Sequence, residues 1–193
     1  MKKLAVLFPG IGYTVDKPLL YHSGRIAAAR GYEVLPLPYG GFPRGVKGDR
    51  AKMERCFRMA LEQAEEMLAA VDWAACDRIL FIGKSVGTIV AAAAAQRCPA
   101  EERIRFLLYT PLEDTFAFPL GESLVFTGGA DPWVGGGDSR IPALCAQRGL
   151  PCTLIPGANH SLETGDPLAD LDALRRVMAE TERFLRVGEA IEE

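Results

Sequence analysis

A serine hydroxyl is a poor nucleophile until a base takes its proton, and one serine in this chain stands where such activation would matter. Ser85 is the centre of Gly83-Lys84-Ser85-Val86-Gly87, between an apolar run at 79–82 and a tract of small residues at 86–95. A chain that turns from buried strand to buried helix there must reverse sharply, which strains the residue at the apex. Gly83 and Gly87 remove the side chains that would strike the crossing backbone. The hydroxyl then stands clear of the sheet, with the donors and dipole of the helix N-terminus behind it. The chemistry such a serine can do is attack on an acyl carbonyl. A serine between glycines also occurs in ordinary loops, so its partners carry the argument.

The chain has two histidines, His22 and His160. His22 falls inside a helical stretch, as a surface or half-buried polar residue. His160 follows the strand at 152–155, in Pro156-Gly157-Ala158-Asn159-His160-Ser161. An imidazole that serves as base needs an acid to fix its tautomer. Asp131, in Gly128-Gly129-Ala130-Asp131-Pro132-Trp133, follows the strand at 123–127. Glu113 and Asp114 follow the strand before it, and an acid at Glu113 is the alternative; otherwise Glu113 is expected in the pocket wall.

The elements that must position these residues alternate along the chain. Short apolar runs at 4–8, 32–37, 78–82, 103–109, 123–127 and 152–155 read as strands. Helical patterns lie at 17–30, 49–71, 86–97 and 141–148, and a last helix opens on Asp166-Pro167, a cap followed by a first-turn proline. In that helix Leu168, Leu171, Leu174, Val177, Met178 and Phe184 form the expected inward stripe. The sequence predicts a three-layer α/β/α sandwich on a six-stranded parallel sheet, as a single domain over 1–193. Ligands in such sheets sit at the carboxyl ends of the strands, where Ser85, Asp131 and His160 all fall. Lys84 is expected to be a solvated neighbour of the turn.

These motifs, GKSVG, GGADPW and GANHSLE, resemble the α/β-hydrolase superfamily over nearly the whole chain, and within it the small lidless proteins related to dienelactone hydrolases. The order Ser85, Asp131, His160 is the order of that superfamily's nucleophile, acid and base. The resemblance implies a serine hydrolase cleaving a carboxylic ester or thioester of a small substrate, with no metal or cofactor. A carbon–carbon hydrolase or peptidase on the same three residues, and a non-catalytic binding protein of this fold, remain alternatives. The oxyanion hole would use the N–H of Val86 and that of Ile11, in the loop Pro9-Gly10-Ile11-Gly12-Tyr13. Tyr13 and Trp133 are expected walls of the pocket. Two departures stand out. The two leading strands of the full fold have no room before Leu4, so the sheet is expected to be a six-stranded minimum. The connection at 110–122 is too short for a helical cap.

Net charge is −3 and the sequence pI about 5.5, which gives no basic field for nucleic acid. Residues 4–8 are too short for a signal core and are cut by Pro9-Gly10, and no tract approaches the roughly 20 residues of a membrane span. Five scattered cysteines without ligand spacing suggest free thiols in the cytoplasm. The expected partner is a small-molecule substrate, with the protein a monomer or homodimer. One segment, 39–48, is too rich in glycine and proline for regular structure. It is read as a surface loop, or as a flap that draws in acidic substrates through Arg44 and Lys47, with Arg50 just beyond.

Overall fold

The computed structural model describes residues 2–46 and 48–187. Its six strands, β1 (Lys2–Phe8), β2 (Tyr32–Pro36), β3 (Cys76–Lys84), β4 (Ile104–Tyr109), β5 (Ser123–Gly128) and β6 (Cys152–Ile155), form one parallel sheet in the order β2-β1-β3-β4-β5-β6. The helices are α1 (Pro18–Ala29), α2 (Arg50–Leu68), α3 (Val86–Ala95), α4 (Ile141–Gln147) and α5 (Pro167–Arg186).

The central strands are apolar through their middles, at 4–8 in β1, 79–82 in β3 and 106–109 in β4, because both faces are covered there. In β1, Leu4, Val6 and Phe8 belong to the core on the face covered by α2, α3 and α4, while Ala5 and Leu7 belong to the core on the face covered by α1 and α5. All ten residues of α3 are buried, which explains its alanines: it lies flush on the sheet with α2 against its outer side. Asp49 caps α2 by accepting from the Lys52 N–H, and Asp166 caps α5 by accepting from the N–H groups of Leu168 and Ala169.

Two expectations are corrected. In α5 the buried seam is Ala173, Val177, Thr181 and Leu185, spaced by four, while Leu168 and Leu171 are 75% and 63% exposed. At about 100° per residue Leu168 projects from the side opposite this seam and Leu171 from its flank. Leu174, Met178 and Phe184 are only partly buried beside it. The second correction is Lys84. Strand β3 runs on through Gly83 and Lys84, which pair with Leu108 and Tyr109, so Lys84 lies inside the sheet and is 1% exposed. It shares the parity of Leu80 and Ile82, and its side chain goes to the α1/α5 side.

No cap is inserted at 110–122, where a single 3-10 turn, Glu113–Ala117, bridges β4 to β5. The described residues of 39–48 carry no regular structure; Lys47 lies outside the described residues.

Candidate active site

Three glycines let backbone segments meet at the strand ends. A Cβ on Gly87 would lie 2.1 Å from the Phe8 carbonyl oxygen, and one on Gly83 would lie 2.8 Å from Thr88 Cα. The first turn of α3 therefore rests directly on the end of β1, and the turn at Ser85 is tight. Ser85 has φ 57° and ψ −126°, a conformation that costs an L-residue of order 1–3 kcal/mol and persists only where its surroundings enforce it. Its N–H donates to the Tyr109 carbonyl at 3.0 Å, which ties the apex to β4. At the far strands, a Cβ on Gly128 would lie 2.3 Å from the Ala158 carbonyl oxygen, so the loops after β5 and β6 are in backbone contact.

That contact sets His160 between Asp131 and Ser85. The Ser85 Oγ is 2.7 Å from His160 Nε2, and His160 Nδ1 is 2.7 Å from Asp131 Oδ2. The other oxygen, Asp131 Oδ1, accepts from the Trp133 N–H at 2.9 Å, and the carboxylate is fully buried. Thr110, at φ 42°, donates its hydroxyl to the His160 carbonyl, and Asn159 Oδ1 accepts from the N–H groups of Ser161 and Glu163. Burial lowers the pKa of His160 below its ordinary 6.5, Asp131 opposes that shift, and the nearby charge of Lys84 adds to it. A neutral imidazole with Nδ1–H donating to Asp131 leaves Nε2 free to accept the Ser85 proton.

A cavity of about 540 Å³ opens beside Ser85 and His160. Ile11, Tyr13 and Trp133 line it. Trp133 tilts against the His160 ring at a centroid distance of 5.5 Å. Val86 is the first residue of α3, its side chain buried and its N–H at the helix N-terminus. Gly10 and Tyr13 close a turn on themselves through two backbone hydrogen bonds, with Ile11 and Gly12 at its corner. Tyr39 holds this loop from outside by donating to the Pro9 carbonyl at 2.7 Å.

Glu113 lies elsewhere. It is exposed, ion-paired with Arg140 at 3.2 Å, and lines a neighbouring groove rather than this cavity. His22 is exposed on α1. Sequence reasoning missed Lys17, Met53 and Lys84 in the wall. For Lys84 the signal was present, since it continues the alternation of Leu80 and Ile82. For Met53 there was none, because it sits on the α2 stripe of core residues. Among the described residues, no cluster of three or more His, Cys, Asp or Glu side chains is placed to hold a metal, and no helix is long and apolar enough to cross a membrane.

No protein-family model matches the chain, and no curated protein does. Solved structures do resemble it. An α/β serine hydrolase homologue from Coxiella burnetii is 16% identical with a TM-score of 0.66, over 95% of this chain and 85% of that one. A serine hydrolase without a lid from Xanthomonas campestris is 14% identical with a TM-score of 0.63, over 96% of this chain and 81% of that one. Est1E from Butyrivibrio proteoclasticus, solved with ferulic acid bound, is 14% identical with a TM-score of 0.63, over 95% and 88%. At these identities the likeness is one of fold: the chain has the α/β-hydrolase fold in a lidless form.

Proposed function

We propose that the protein is a serine hydrolase that cleaves a carboxylic ester or thioester of a small substrate through an acyl-enzyme. The observation that carries the proposal is the line of two 2.7 Å contacts from Ser85 through His160 to Asp131, at the wall of an open cavity. His160 Nε2 takes the Ser85 proton as Oγ attacks the acyl carbon. The bond to the leaving alcohol or thiol breaks as His160 returns the proton to it. A water then repeats the sequence on the acyl-enzyme, releasing the carboxylic acid and restoring Ser85. Asp131 orients the imidazole and stabilises the imidazolium that forms. The N–H of Val86 and of Ile11 are the donors assigned to the oxyanion, a contribution of about 3–4 kcal/mol where one such donor has been removed from other hydrolases.

The α/β-hydrolase fold and its lidless form support this reading, as do similar folds described as serine hydrolases. The test is a panel of 4-nitrophenyl esters and acyl-thioesters of graded chain length, with wild type and Ser85→Ala. Turnover is expected for short chains in the wild type and none above background in the variant. A variant as active as its parent would remove Ser85 from the mechanism.

A further inference from the structure

The cavity beside Ser85 is lined by three cationic side chains, Lys17, Arg44 and Lys84, and by no described carboxylate, although the chain as a whole carries a net charge of −3. Lys84 is the unusual member. It is 1% exposed, and among the described residues no hydrogen bond or ion pair is made by its ammonium. Its Nζ lies 4.8 Å from the centroid of the Tyr13 ring, and Lys17 Nζ lies 5.4 Å from the same centroid. Two ammonium groups thus share one aromatic ring, which offsets part of the desolvation of a cation but supplies no negative charge. The acids whose charge reaches Lys84 are not counter-ions at contact: both oxygens of Asp131 are taken by His160 and Trp133, and Glu163 is exposed. A buried cation without an anion is costly, and a methionine or leucine would fill the same space without that cost.

The geometry points to a carboxylate on the substrate as the missing counter-ion: the cavity takes monoesters or monothioesters of small dicarboxylic acids, with Lys84 anchoring the free carboxylate and Lys17 and Arg44 at the rim. This rests on the hydrolase reading and adds its substrate class. His160 must face the leaving group to protonate it, so the acyl part takes the wall where Lys84 and Tyr13 stand. Desolvation holds Lys84 down to about 7, with Lys17 adding to the effect and Asp131 and Glu163 opposing it. A carboxylate at contact reverses that shift, so binding above neutral pH carries a proton onto Lys84. Tyr13 does not compete for it, being raised to about 12 by burial, and His160 is the other group within reach.

Two measurements test this. The first compares kcat/KM for the 4-nitrophenyl monoester of glutaric acid with that for neutral 4-nitrophenyl hexanoate. The wild type should favour the anionic ester by about tenfold or more at low salt, carried in KM and shrinking as salt rises. Lys84→Met should erase the preference, and Lys17→Gln, at the exposed rim, should reduce it about two- to threefold. The second needs no turnover: calorimetric titration of wild type and Lys84→Met with glutarate and with neutral glutaramide, at pH 8 in buffers of different ionisation heat. Glutarate should bind more tightly than glutaramide with proton uptake, and both the preference and the uptake should vanish in Lys84→Met. Hydrolysis of both esters with equal kcat/KM overturns the substrate class and leaves the hydrolase standing. Glutarate binding with proton uptake but no hydrolysis of either ester overturns the hydrolase reading, and the ester substrate class with it, and leaves the anion site standing. Equal affinity for glutarate and glutaramide overturns the anion site, whatever the esters do.

Discussion

The hydrogen bond from His160 to Asp131 decides what substitutions at the acid should do. Asp131→Asn keeps the shape but offers an amide that stabilises no imidazolium, and kcat should fall by about 10⁴. Glu113→Gln loses only an exposed ion pair with Arg140, and activity should stay within about twofold. A reversed outcome in ester kinetics would move the acid to the end of β4. The base must be neutral to act, so kcat/KM for a neutral ester should rise with pH to a plateau, with its midpoint below 6.5 because burial lowers His160. Lys84→Met removes a cation that contributes to that lowering, and the midpoint should move up. Lys84 also has a signature in stability. The folded chain releases this proton near pH 7 and the unfolded chain near 10.5, so between those values the unfolded state holds more protons and stability rises with pH. Lys84→Met should therefore melt higher than wild type near pH 7, by on the order of 3 kcal/mol, with the gain shrinking toward pH 10. Ser85, His160 and Asp131 were legible as residue types after the right strands. Lys84 was misread because a lysine beside a turn suggests solvent, and only its parity with Leu80 and Ile82 says otherwise.

At the scale of elements, the site depends on backbones that nearly touch. Gly87→Ala would put a methyl 2.1 Å from the Phe8 carbonyl oxygen, and only a shift of α3 away from β1 relieves it. A loss of about 3 kcal/mol or more in chemical denaturation is expected, together with most of the activity. A Gly87→Ala protein as stable as wild type would contradict the close approach of α3 to β1. The two glycines around Ser85 announced this contact in the sequence. The run of apolar residues announced β3 but not its length, because Gly83 and Lys84 look like the start of a turn while pairing with β4 as strand. The α5 stripe failed for a related reason. Its large residues suggested the inward face, yet the seam that meets the sheet holds Ala173 and Thr181, which let the helix approach closely. Side-chain size marked where volume was available, not where the contact lay.

Across the whole molecule, six parallel strands place three loops at one edge, and Ser85, Asp131 and His160, up to 75 residues apart, meet there. This much follows from the alternation of apolar runs and helical patterns, which leaves a covered parallel sheet as the consistent arrangement. The shape of the cavity does not follow, because part of its wall is the irregular segment at 43–46, whose one glycine and one proline carry no periodicity to read. If Ser85 is an activated nucleophile, an active-site-directed fluorophosphonate must modify it. Intact-mass and peptide analysis of the folded wild type should find one adduct per chain, on Ser85, formed faster above the His160 midpoint than below it and absent in His160→Ala. Folded protein that stays unlabelled, or that is labelled on any residue other than Ser85, would remove Ser85 as the nucleophile.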